Sequence, residues 1–232
     1  DGIVRLVGSE MCIRDRRTPQ QFVDKLAGMA VQVHSQEVLT SSLATASYLA
    51  RIAPPGTEVF VVGMDGLRTA LEEAGFCLVE DGAEFVVAGM DFAICYDRLA
   101  QASLQIRAGA RFIGTNPDVT FPSERGILPG AGSLLAFLEA ASGVQPIIVG
   151  KPGTAMLEQA LVRMGAQPAT TAMLGDRLET DILAGQRAGL HTILVLSGVT
   201  DEVILSGTEI QPDLVFNDVA HLYAAWKGVV GG

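Results

Sequence analysis

Short apolar runs alternate along this chain with segments whose apolar positions recur every three to four residues. Glu58 to Val62 is almost wholly apolar and of strand length, and the spacing of Leu67 to Ala74 predicts a helix ended by Gly75. Glu84 to Ala88 predicts a second strand. Tyr96 to Ala108 predicts a helix with Leu99, Ala102, Ser103 and Ile106 on one face, closed by Gly109. Arg111 to Gly114 predicts a third strand, feeding the loop Thr115-Asn116-Pro117-Asp118 and then a turn-rich stretch to Gly132. A helix follows from Ser133 to about Ala141. Beyond it the pattern predicts strands at 147–149, 172–174, 192–196 and 214–216, with helices at 154–164, 179–188 and 218–226.

Strand–helix alternation with short connections predicts an α/β fold of parallel strands and right-handed crossovers. Strands that are apolar throughout predict sheets covered on both faces. Pro54-Pro55-Gly56 and Ser142-Gly143 are turn-forming junctions between periodic segments. They predict an inserted α/β domain at 54–141 and one discontinuous core made of 17–53 and 142–232. Asp1 to Arg16 (DGIVRLVGSEMCIRDR) reads as a segment foreign to the rest.

Composition narrows the chemistry. With 49% apolar and 18% charged residues over 232 positions, the chain is globular and long enough to bury a sizeable core. A net charge of −10 argues against a nucleic-acid partner, because binding a phosphate backbone needs a basic surface. A small anionic substrate is still compatible, since a few local cations or a metal reverse the field inside one cleft. Cys12, Cys77 and Cys95 are scattered and odd in number, which reads as free thiols in a reducing compartment. No apolar run approaches a membrane span, and no signal-peptide pattern is visible, so a cytoplasmic protein is expected.

The candidate chemistry lies after two of the later strands. Lys151 follows Ile147-Ile148-Val149-Gly150, and Asp176 follows Met173-Leu174-Gly175, which puts both at the strand ends where open α/β sheets bind ligands. An ammonium there can steady a carboxylate and neutralise a transferring phosphoryl group. Hard divalent cations such as Mg²⁺ take oxygen ligands and keep several waters, so one or two carboxylates suffice, with Asp176 first and Asp181 second. The ordinary alternatives are a solvated loop lysine and, for Asp181, an acid complementing a helix N-terminus. Other readings fail on spacing. Gln145 and Pro152 break a P-loop frame around Gly150-Lys151, and Gly130-Ala131-Gly132 follows no predicted strand. His34, His191 and His221 are too far apart in sequence for a zinc motif, and Ser133 and Ser197 lack a Gly-x-Ser-x-Gly frame.

Several segments, taken together, resemble one family. They include Arg17-Thr18-Pro19 and Thr40-Ser41-Ser42-Leu43-Ala44-Thr45-Ala46 at helix starts, then Gly109 to Asp118 and Leu128 to Ser133. Val149-Gly150-Lys151-Pro152, Gly175-Asp176-Arg177-Leu178-Glu179-Thr180-Asp181-Ile182 and Leu194 to Thr200 complete the set. From Arg17 on, the chain resembles haloacid dehalogenase (HAD) superfamily phosphatases of subfamily IIA, the NagD and 4-nitrophenylphosphatase-like proteins.

The resemblance implies a Rossmann-like parallel-sheet core, an inserted α/β cap of type C2, and Mg²⁺-dependent phosphoryl transfer through an aspartyl-phosphate. It also implies that Lys151 steadies nucleophile and phosphate, that Asp176 holds Mg²⁺ with Asp181 in support, and that Asn116 and Asp118 on a cap loop bind the leaving group of a small phosphorylated metabolite. Caps of this type often pair, so a homodimer is expected. The family's Asp-x-Asp-Gly strand and Thr/Ser-Asn-Asn loop are expected ahead of Arg17 and are not in this sequence, so the core is expected to lack its first strand. Asp15, flanked by Arg14 and Arg16 with no acid two residues on, does not replace the nucleophile. The chain as written is therefore expected to be inactive. The alternative is a protein that binds phosphorylated ligands without hydrolysing them.

Overall fold

In the computed structural model, residues 19–28, 30–123 and 125–230 are described. The segment 1–16, with Asp15 and Cys12, and the helix-opening Arg17-Thr18 lie outside the described residues. The described chain divides into two compact units, one ending at Gly150 and one beginning at Lys151.

The first unit runs α1 (Pro19–Ala27), α2 (Ser41–Ile52), β1 (Glu58–Val62), α3 (Asp65–Glu73), β2 (Cys77–Leu78), β3 (Phe85–Ala88), α4 (Tyr96–Arg107), β4 (Arg111–Gly114), β5 (Thr120–Ser123), β6 (Gly126–Pro129), α5 (Ala131–Ser142) and β7 (Ile147–Ile148). Thr40 caps α2, its Oγ1 accepting from Leu43 N–H at 3.2 Å. Five parallel strands form one sheet in the order β2-β1-β3-β4-β7. Every residue of β3 and all but the first of β1 are buried, as apolar runs with helices on both faces require. Phe60, Val62, Val86, Phe112, Ile106 and Leu138 pack together in the core. Full burial of a side chain such as Phe60 stabilises by about 1.5–3 kcal/mol.

The predicted face of α4 is the buried one: Ala102, Ser103 and Ile106 are inside, with the half-buried Leu99 packed against the core. Gln105 is buried too, which apolar spacing does not foresee. Its Oε1 accepts from Ala83 N–H at 2.9 Å and its Nε2 donates to Glu80 C=O at 3.3 Å, so it fastens the loop before β3. Gly75 and Gly109 follow α3 and α4 at φ +90° and +112°, a region side chains avoid.

Several features differ from the sequence expectation, the unforeseen short strand β2 among them. The turn-rich stretch before Gly132 contains an antiparallel hairpin, β5 with β6, pairing Thr120 with Pro129 and Ser123 with Gly126. Proline and glycine disguised it, yet Phe121 faces inward against Met90 and Ala131, and the Ser123 hydroxyl donates to Gly126 C=O at the turn. In addition, β7 hydrogen-bonds to β4, pairing Ile113 with Ile147 and Gly114 with Ile148. That strand thus completes the first unit's sheet.

The second unit runs α6 (Ala155–Met164), β8 (Ala172–Gly175), a π-helical turn (Leu178–Ile182), α7 (Leu183–Arg187), β9 (His191–Val195), α8 (Glu202–Ser206), β10 (Leu214–Phe216) and α9 (Val219–Val230). Its three parallel strands lie in the order β10-β9-β8. Alternation along β8 supplies two cores. Met173 joins Leu157, Leu161, Ala184 and Leu190, while Ala172 and Leu174 join Ile193, Val195 and Leu222. Asp213 fastens β10 to β9, its Oδ2 accepting from the N–H and hydroxyl of Thr192 at 2.7 and 2.9 Å. Those bonds hold the Asp213 carboxyl below its ordinary range, with the backbone bond the larger cause. No helix among the described residues is long and apolar enough to cross a membrane.

Candidate active site

The second unit brings Lys151, Asp176 and Asp181 together. Buried Met173 and Leu174 hold β8 in the core, so the chain past Gly175 emerges at the carboxyl end of the strand with Asp176 first in the loop. The predicted helix from 179 begins instead as the π-helical turn, in which Asp181 N–H and Ile182 N–H both donate to Arg177 C=O at 3.0 and 3.2 Å. Such turns concentrate at functional sites because they re-aim one side chain. Here that side chain is Asp181.

Asp181 is fully buried. Its Oδ2 accepts from Asp176 N–H and Arg177 N–H, both at 3.2 Å, and its Oδ1 takes the Lys151 ammonium in an ion pair. The carboxylate fits only because residue 175 has no side chain: a Cβ there would lie 2.2 Å from Asp181 Cβ and 2.5 Å from its Cγ. Asp181 is therefore not a surface acid complementing a helix terminus. It anchors Lys151, whose side chain is 12% exposed, and shapes the loop that presents Asp176.

Asp176 is half-buried and is held from the other side by the loop after β9. Val199 N–H donates to its Oδ2 at 2.9 Å, and Thr200 N–H donates to its main-chain carbonyl at 3.0 Å. Oδ1 has no hydrogen-bond partner among the described residues. A carboxylate with one oxygen pinned and one open, beside a charge-balanced lysine–aspartate pair, suits a hard divalent cation. No group of three or more His, Cys, Asp and Glu side chains that could hold a metal exists among the described residues.

Asn116 and Asp118 lie in the first unit, on the loop after β4. The Asn116 side-chain carbonyl accepts from Asp118 N–H at 3.0 Å, forming an Asx turn. The loop is clasped by backbone. Gly132 N–H donates to Asp118 C=O at 2.9 Å and Gly130 N–H to Val119 C=O at 2.7 Å, while the Ser133 hydroxyl donates to Val119 C=O at 2.7 Å. A Cβ on Gly130 or Gly132 would lie 2.2 Å from the carbonyl oxygen of Asp118 or Pro117. The Gly-Ala-Gly tripeptide thus serves close packing of this loop, although, contrary to the sequence expectation, it does follow a strand, β6.

Sequence reasoning included Leu194 to Thr200 among the segments of the family resemblance but gave the 198–200 loop no role, because its residues carry no charge.

Comparisons with known proteins bear on the family and the fold. A family model described as haloacid dehalogenase-like hydrolase matches residues 14–77, and one described as HAD-hydrolase-like matches 148–222. The 5'-nucleotidase YutF of Bacillus subtilis is 45% identical over 184 residues, covering 79% of this chain and 72% of that protein. The structure of NagD from E. coli K-12 superposes with a TM-score of 0.84 at 36% identity, covering 94% of this chain and 83% of that one. A glycerol phosphate phosphatase from Mycobacterium tuberculosis, solved in complex with calcium, superposes with a TM-score of 0.86 at 33% identity, covering 90% and 63%. Sequence, fold and the paired strand-end loops converge: the chain belongs to the haloacid dehalogenase-like hydrolases, among the NagD-like phosphatases of subfamily IIA.

Proposed function

We propose that the site serves Mg²⁺-dependent hydrolysis of a small phosphorylated metabolite through an aspartyl-phosphate. The observation that carries this reading is the open oxygen of Asp176 beside the Lys151–Asp181 pair. When bound, the cation would supply charge neutralisation at the transferring phosphoryl group. Asp176 would be its ligand from this chain. Asp181 would support it indirectly, by fixing the Asp176 backbone and aiming the Lys151 ammonium, which neutralises the phosphate and steadies the nucleophile.

The grouping of 54–141 as cap, with 17–53 and 142–232 as core, remains part of the proposal. The pairing of β7 with β4 favours moving the second junction from Ser142 to about Gly150. Within the cap, Asn116 and Asp118 would read the leaving group, and dimerisation would use cap surface. The named relatives act on a nucleotide and on glycerol phosphate, which supports a phosphomonoester without selecting one. A cytoplasmic location fits such a substrate.

The 232 residues contain no two aspartates spaced two apart, so nucleophile and acid–base partner are not supplied by them. This observation supports the second reading, a chain that binds phosphorylated ligands without turnover. Both readings meet one experiment. The 232-residue chain should not hydrolyse 4-nitrophenyl phosphate with Mg²⁺, whereas a version carrying an Asp-x-Asp-Gly strand and a Thr/Ser-Asn-Asn loop ahead of Arg17 should. In that version Lys151→Ala and Asp176→Ala should each lower kcat/KM by at least ~10²-fold, the scale of losing one preorganised charge. An unchanged Mg²⁺ dependence in Asp176→Ala would refute the metal assignment.

A further inference from the structure

We infer that the loop Gly198-Val199-Thr200 is a positioning element for the Asp176 carboxylate and that Gly198 is the residue on which it depends; this rests on the metal role proposed for Asp176. Two successive amides grip that aspartate at both ends, Val199 N–H at its Oδ2 and Thr200 N–H at its main-chain carbonyl. Thr200 is itself 2% exposed, so the loop is seated in the fold.

Between these contacts the Asp176 side chain occupies the space a side chain at 198 would take. A Cβ on Gly198 would lie 2.1 Å from Oδ2, 2.3 Å from Cβ and 2.5 Å from Cγ of Asp176. Ordinary carbon contacts lie near 3.5–4.0 Å, so either the carboxylate or the loop must move by more than an ångström, on the order of the whole tolerance of a preorganised site. Gly198 is not among the glycines at positive φ. Close approach alone therefore excludes a side chain there. The consequence is directional: pinning Oδ2 leaves Oδ1 presented along one line, and the rotamer entropy of Asp176 is already spent before any cation arrives.

Gly198 is thus a positioning residue acting through Asp176. The test uses the 232-residue chain, Gly198→Ala, Asp176→Gly, the double variant, and the control Gly207→Ala, where a Cβ meets nothing nearer than 3.7 Å. Mn²⁺ alone is the probe, titrated calorimetrically. Amide hydrogen exchange at Val199 and urea unfolding are read alongside. Gly198→Ala should weaken Mn²⁺ binding about 10–100-fold, the usual effect of disturbing a ligand's supporting contacts, and should speed exchange at Val199, while Gly207→Ala does neither. In the Asp176→Gly background, Gly198→Ala should cause no further loss of stability, because the atoms it would strike are gone. Wild-type Mn²⁺ affinity and Val199 protection in Gly198→Ala would overturn the inference. So would equal destabilisation in both backgrounds, or failure to fold in both; folding only in the Asp176→Gly background would support it. Mn²⁺ binding that is absent, or indifferent to Asp176→Gly, would sink the metal role alone, and exchange at Val199 with the stability cycle would still decide the positioning role.

Discussion

Replacing Asp181 by asparagine preserves its shape and removes its charge. The side chain is fully buried, and its oxygens serve two amides and the Lys151 ammonium. In Asp181→Asn the carbonyl oxygen can still accept from Asp176 N–H and Arg177 N–H, but the amide nitrogen then points a donor at another donor. Removing one partner of a buried ion pair costs about 3–5 kcal/mol, mainly because the remaining charge loses its compensation. Lys151 retains 12% exposure, so the lower end, about 3 kcal/mol, is expected. For a chain of this size that corresponds to a melting temperature lower by roughly 6–12 °C. Lys151→Met should cost a similar amount by stranding the carboxylate. The double variant removes both charges and should recover at least ~2 kcal/mol relative to the sum of the single changes. Urea unfolding of the four proteins, followed by circular dichroism at constant m-value, measures each corner of the cycle. An Asp181→Asn protein within about 0.5 kcal/mol of wild type, the range of an ordinary surface change, would refute the anchoring role, as would strict additivity.

Further outcomes follow from the same contacts. Gly175→Ala drives a Cβ to 2.2 Å from that of the immobile Asp181 and should cost about 1–3 kcal/mol or more in the same unfolding assay, with Gly207→Ala within about 0.5. The Asp213 carboxyl is held below its ordinary value of 3.8, so its stabilising effect is fully present above that value and is lost as pH falls through the lower folded-state value. Because Asp213 is exposed, the difference in unfolding free energy between wild type and Asp213→Asn, from urea titrations, should stay under about 1 kcal/mol and shrink only in that acid window. Gln105→Leu should cost about 1–3 kcal/mol, read by unfolding, since it strands the Ala83 amide and the Glu80 carbonyl. In the version with the restored N-terminal motifs, Asp118→Asn should change kcat/KM unequally across a panel of phosphate esters, least for 4-nitrophenyl phosphate; a uniform change would return the loop to a purely structural role.

The alternation of apolar runs and helical periods carried most of the fold. Strands 58–62 and 111–114 and the buried face of α4 were legible because a parallel strand covered on both sides is largely apolar, while a packed helix repeats every three to four residues; strand 214–216 was legible as an apolar run although Leu214 and Val215 are exposed at the sheet edge. The β5–β6 hairpin was not legible: Pro122 and Gly126 sit in strands there because an edge ladder tolerates them. Assignment of β7 to the sheet of β4 was equally hidden, since strand pairing is a long-range choice that a two-residue apolar run does not encode.

At the site, the sequence by itself determined which groups are available. Lys151, Asp176 and Asp181 stand after apolar strands, where chemistry collects, and their residue types restrict them to charge balance and hard-cation binding. Tertiary structure decided how they divide the work. Asp181 turned inward because Gly175 left it a space the size of a carboxylate, and burial then required an ammonium and two amides to offset the desolvation of its charge. Among the described residues Asp176 kept one oxygen open, because the 198–200 loop took the other. Those assignments depend on distances between residues far apart in the chain, and the glycines that permit them carry no chemistry of their own to read.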